Sequence, residues 1–188
     1  MRNLFYYCSN LKKINFGNHF DTSLVTNMEN MFKECTSLEY LNLSTFDTSN
    51  NNYFNFMFYN CFSLKSLDLS SFNTEAIVDM REMFNNCTSL KSLDISTFNT
   101  RSTVTMNKMF SNCLSLTSID LSGFNTSLVN SFEFYFAYCE SLTSINLTKF
   151  DTSNCQTMNG MFLKCKSLKS LDLSSFNTSS VTNIDYMF

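Results

Sequence analysis

CFSLKSLDLSSFNTEAIVDMREMFNNC, residues 61–87, decides the fold, because the rest of the chain is close to a series of copies of it. Cysteine marks the period. It falls at Cys8, Cys35, Cys61, Cys87, Cys113, Cys139 and Cys165, 26 residues apart except for one interval of 27, where Gly17, Asn18 and His19 make a longer turn. Self-similarity at a fixed period of this size marks a stacked architecture, in which no unit can bury its apolar side chains alone.

Working outward from that stretch, leucine recurs three residues after each cysteine, from Leu11 to Leu168, and the LxxLxL pattern alternates as a strand with one buried face does. A phenylalanine column follows at Phe46, Phe72, Phe98, Phe124, Phe150 and Phe176, with Phe20 as its equivalent after the longer turn. Threonine then stands in every copy, from Thr22 to Thr178, where a short hydroxyl suits an N-cap or a turn. Beyond it the apolar spacing, as in Val181, Ile184, Met187 and Phe188, fits one face of a short helix. The expected fold is therefore an α/β repeat, a right-handed leucine-rich-repeat-like solenoid with one parallel strand and one short helical side per 26-residue coil. A second phenylalanine column, Phe5 to Phe188, completes the expected core. The turns must rely on Asn, Asp, Ser and Thr, since the chain has no proline and only three glycines.

Composition bounds the rest. With 188 residues, 44% of them hydrophobic, the chain has ample material for a core and reads as a single solenoid domain, 1–188, of seven repeats. A net charge of -3 with no basic run argues against nucleic acid, and no segment approaches the roughly 18 apolar residues that membrane insertion requires. MRNLFYYC lacks the pattern of a signal peptide but aligns with the end of every repeat, and the chain also stops in mid-repeat at Phe188. Both ends point to a segment of a longer array, so the lack of a leader says nothing of compartment. Apolar ends without polar capping repeats predict end-to-end association of the isolated segment.

The repeat MFxxCxSLxSLDLSxFNTSxVTxM resembles the BspA-like class of leucine-rich repeats, found in tandem on bacterial surface proteins and in some parasitic eukaryotes. The resemblance covers the whole chain. It implies a non-catalytic cell-surface or extracellular module for adhesion and protein binding, and it brings no catalytic residues. Phe54, Phe132 and Tyr135 stand where the pattern has methionine, an exchange among large apolar residues.

Two surfaces are candidates for a protein or glycan ligand. The first is the polar strand face, where Ser66, Asp68 and Ser70 repeat as Ser92, Asp94, Ser96 and as Ser118, Asp120, Ser122. Carboxylates stacked in register repel unless bonded or countered. Calcium is one remedy, and hydroxyl, water and lysine contacts, the reading adopted here, are another. The second surface is a pair of aromatic patches at Phe56 and Phe134, exposed if these positions face solvent and buried if the segment is extended. Wherever the strand column carries Asp, the residue five further on is Asn, as in Asp94 with Asn99, and this invites an Asp–Asn hydrogen bond around the turn.

No cofactor or metal is expected. The seven repeat cysteines read as a buried ladder, Cys155 as core, and His19, the only histidine, as a surface residue without a catalytic partner. The chain is thus expected not to be an enzyme. An alternative to ligand binding is a structural scaffold or an ice-interacting polar surface, which a thermal hysteresis assay distinguishes.

Overall fold

The computed structural model describes residues 1–188 and stacks the repeats as successive coils. Its buried apolar side chains form one continuous cluster running from Met28 to Met187. Phe5, Phe32, Phe58, Phe84, Phe110, Phe136, Phe162 and Phe188 stack ring on ring, with adjacent centroids 5.4–6.1 Å apart and planes within 13° of parallel. Such spacing is the offset arrangement that the ring quadrupole favours. Phe54, Phe132 and Tyr135 are fully buried where other coils place methionine, so these exchanges leave the core filled.

On the leucine side the alternation is as expected: Leu64, Leu67 and Leu69 are buried while Ser66, Asp68 and Ser70 are exposed. Regular parallel pairing, however, is confined to two coils. Strand β1 (Tyr40–Asn42) pairs with β2 (Ser66–Asp68) in the register Tyr40↔Ser66, Leu41↔Leu67, Asn42↔Asp68. Later coils keep the extended run but join it by isolated bonds, such as Thr117 N–H to the Lys91 carbonyl at 3.2 Å. A strand per coil was expected, and only these two form one.

The short helical side is not formed either. From Asp79 to Cys87 the chain makes successive turns, with Met83 N–H donating to the Met80 carbonyl, Asn85 to Glu82 and Cys87 to Phe84. Alternate amides point instead at the next coil: Glu82 N–H donates to Asn107, Phe84 to Met109 and Asn86 to Ser111, at 2.9–3.0 Å. A helix would have consumed those donors within its own turn. Two residues per coil, five and one before the cysteine, take the left-handed conformation that lets the intervening amides alternate, as at Glu82 (φ 54) and Asn86 (φ 62). Asn60, Asn86 and Asn112 tolerate it at little cost, whereas Phe56, Tyr138 and Phe134 each carry roughly 1 kcal/mol of strain. The coil-to-coil ladder offsets that strain, and the apolar spacing that reads as helical serves a run of turns.

The threonine column joins the coils. Thr100 Oγ1 donates to the Asn125 carbonyl at 2.8 Å and accepts from the Asn125 N–H at 2.9 Å. The same two-way clasp links Thr22 to Asp47, Thr48 to Asn73, Thr74 to Asn99, Thr126 to Asp151 and Thr152 to Asn177. These threonines are buried, so their hydroxyls meet the next coil's backbone rather than water. The turn reading also holds, since Val129 N–H donates to the Thr126 carbonyl at 2.9 Å.

Candidate functional site

Ser66, Asp68, Ser70, Ser92, Asp94, Ser96, Ser118, Asp120 and Ser122 are all exposed on the strand side, each triplet one coil beyond the last. Every aspartate of the column caps its own turn: Oδ1 accepts the amide two residues on, Ser70 for Asp68, Ser96 for Asp94 and Ser122 for Asp120, at 2.9–3.0 Å. The Ser96 hydroxyl adds a bond of 2.7 Å to Asp94. This is the hydroxyl contact anticipated from the sequence, and it too uses Oδ1. Bonds from Ser96 hold the Asp94 carboxyl below the usual aspartate range, and the Asp68 charge in the preceding coil opposes them.

The same direction recurs at Asp21, Asp47, Asp68, Asp120, Asp151 and Asp172, always through the serine two residues on. A carboxyl whose folded value lies below its unfolded one stabilises the fold above the unfolded value and loses that contribution as pH falls through the folded value. Urea unfolding should therefore give constant stability from neutral pH to about 5 and a progressive loss below about 4. Asp94→Asn, which keeps Oδ1 but cannot take up the proton, should lose less over the same range.

The anticipated Asp–Asn bond is not made. Asn99 Oδ1 accepts from Arg101 N–H at 3.2 Å, as Asp94 Oδ1 accepts from Ser96 N–H, so each side chain closes its own turn. An Asx turn reaches an amide two residues away without ordering any further chain, and that local bond wins.

Shallow grooves follow the strand face. One, of about 440 Å³, is bounded by Lys13, Tyr40, Asn42, Ser44, Ser66 and Asp68. Another, of about 230 Å³, lies among Asp68, Ser70, Asp94 and Thr97. Lys13 and Tyr40 belong to the column that is serine in later coils, a departure that could have drawn attention to the first groove in the sequence alone.

Phe56 and Phe134 are neither free patches nor core: both are half-buried, at left-handed positions of the turn face. Their surroundings differ. Phe134 lies down on the next coil, where a Cβ added at Gly160 would come within 2.3 Å of its ring, so the glycine makes room for it. Phe56 meets no such gap, because Glu82 stands at the equivalent place. It turns toward Tyr59, with centroids 5.8 Å apart, and Lys33 Nζ lies 4.7 Å from its centroid. Sequence reading missed Lys33 and Tyr59; the signal was an aromatic pair, Tyr6 and Tyr59, in a column that is otherwise polar or aliphatic.

From Cys35 to Cys139 the cysteine ladder is core, as expected, while its end members Cys8 and Cys165 are only half-buried. Cys87 Sγ donates to the Phe58 carbonyl of the preceding coil at 3.3 Å, and the bond recurs from Cys35 to Cys165. Burial pushes the Cys113 thiol up to about 12, which leaves little thiolate for nucleophilic or metal chemistry. His19 is exposed.

With this geometry the chain can be set beside known proteins. The family described as Mycoplasma protein of unknown function, DUF285, matches residues 1–72, 62–149 and 117–188, which together span the chain. The chain belongs to this family. No curated protein sequence matches it. Among solved structures it is similar to a leucine-rich repeat protein of T. pallidum, at 18% identity over 89% of this chain and 70% of that one, with a TM-score of 0.57. A leucine-rich repeat protein from Eubacterium ventriosum matches at 20% identity over 84% of this chain, with a TM-score of 0.52, and the chain spans only 38% of its length. These likenesses place the DUF285 chain in the leucine-rich-repeat solenoid fold.

Proposed function

We propose that the chain is a non-catalytic binding module, at a cell surface or outside the cell, that takes a protein or glycan ligand on its strand face. One observation carries this reading: a column of exposed carboxylates, one per coil at Asp68, Asp94 and Asp120, each fixed through Oδ1 by its own turn. Fixed acceptors at a constant spacing lose little freedom when a ligand binds, which favours recognition of an extended molecule. The grooves beside Tyr40, Asp68 and Asp94 add apolar contact to the polar rows. Buried thiols and an isolated His19 leave no convergent acid, base and nucleophile, in keeping with a binding role.

The hydroxyls favour ligand binding over an ice lattice. Ser96 and Thr148 direct theirs at the Asx side chain two residues before, at 2.7–2.8 Å, so they do not form a uniform outward array. The test is charge reversal. Immobilised protein screened against arrays of soluble proteins and glycans should yield a ligand whose binding falls at least tenfold with Asp94→Lys and Asp120→Lys together, in a variant that still unfolds cooperatively although it melts somewhat lower for want of the two Oδ1 turn bonds. A ligand held equally well by that variant sinks the assignment of this face.

As an isolated polypeptide the 188 residues leave Ile184 and Phe188 exposed, at 50% and 70%. End-to-end association should follow, appearing as a sedimentation coefficient that rises with concentration. A constant monomer value would exclude it.

A further inference from the structure

The turn face gathers aromatic rings and acceptors around a single ammonium group, away from the strand face. Lys33 Nζ lies 4.7 Å from the Phe56 centroid, 4.9 Å from that of Tyr59 and 5.7 Å from that of Tyr6. A cation held over three ring faces is the arrangement that recognises alkylammonium and guanidinium groups, and Lys33 shows that the cluster accepts one.

Around the rings the polar groups are acceptors in excess of donors. Glu34 takes a bond of 2.7 Å from Asn60 Nδ2, and Glu82 one of 2.9 Å from Asn85 Nδ2, yet neither carboxylate has a lysine or arginine in ion-pair distance. Other acidic groups of the chain, such as Glu29, Glu39 and Glu140, do have one. Both carboxylates act on Tyr59, whose hydroxyl is pushed up first by burial and then by the charges of Glu82 and Glu34.

We propose that this cluster docks an arginine-bearing segment of a partner protein, its guanidinium layered on Phe56 and Tyr59 between Glu34 and Glu82 while Lys33 swings out. Two features select arginine: its flat cation stacks on rings, and its five N–H groups can serve two carboxylates at once. Lys33 acts as a resident placeholder that competes with the incoming side chain. The site lies on the turn face and does not depend on the strand-face reading.

A capped hexa-arginine peptide, titrated into the full chain at about 0.15 M salt to screen the general attraction of a negative protein, tests this. Phe56→Leu and Tyr59→Leu should each weaken binding by about fivefold or more, the loss expected when a cation–π contact is removed. Leucine at residue 56 meets the same left-handed strain as phenylalanine, so the fold is not the variable. Lys33→Ala should instead tighten binding severalfold, a gain that general electrostatics would also give but the two leucine variants would not accompany. Equal affinity for the wild type and both leucine variants overturns the proposal, as does weaker binding to Lys33→Ala. A loss seen only with Asp94→Lys and Asp120→Lys would move the peptide to the strand face and overturn it too.

Discussion

Truncating Phe84 to alanine should lower the unfolding free energy by about 3–5 kcal/mol, the range for deleting a large buried ring. Phe84 is fully buried in the middle of the ring column, 5.6 Å from Phe58 and 5.7 Å from Phe110. Its removal opens a gap between two coils, and rings fixed by their own neighbours cannot close it. Phe84→Leu refills most of the volume and should cost much less. Phe5→Ala gives the contrast, since Phe5 is half-buried and stacks only on Phe32 within its column. Its loss should be under half as large. Urea denaturation of the three variants measures this, and an equal effect at Phe5 and Phe84 would show that stability is not propagated along the column. In a solenoid each coil contacts only its neighbours, so a central defect weakens two interfaces and a terminal one weakens a single interface.

Thr100→Val should cost about 1–3 kcal/mol, because it keeps the shape and removes both bonds of a clasp at once, each worth about 0.5–1.5 kcal/mol net. The groups stranded are the N–H and the carbonyl of Asn125, each bonded to the Thr100 hydroxyl at 2.8–2.9 Å. Thr100→Ser retains the hydroxyl and loses one methyl, so about 1 kcal/mol is expected. A valine variant no weaker than the serine variant would mean that water reaches Asn125, and the clasp would then be decoration. Val is otherwise the better strand former, so propensity alone predicts the opposite sign.

Much of this was legible in the sequence because it depends on side-chain identity repeated at one period. The 26-residue spacing fixed which residues stack, and the buried rows of Leu64, Leu90 and Leu116 or of Phe58, Phe84 and Phe110 followed from it. The exposed Ser66, Asp68 and Ser70 row, and the buried cysteines, could be read in the same way. Conformation between the columns could not. Residues 77, 80, 83 and 84 fit a helical face, and nothing local forbids a helix there except the asparagines at positions such as Asn60, Asn86 and Asn112.

Pairings across the turn failed for a related reason. Asp94 and Asn99 form a matched pair in sequence, yet each is satisfied two residues away by Ser96 and Arg101. Phe56 and Phe134 look alike in sequence and are separated only by what the next coil offers, Glu82 in one case and Gly160 in the other.

The sequence by itself determined the period, the columns that form the core and the polar face left outside. Tertiary structure decided that the apolar run before each cysteine becomes turns, that threonine clasps the following coil, and that Lys33 meets Phe56 and Tyr59. The reason is physical: apolar burial depends on which residues recur, whereas a backbone amide goes wherever an acceptor stands, and in a solenoid that acceptor is 25 residues away, as Phe84 N–H finds at Met109.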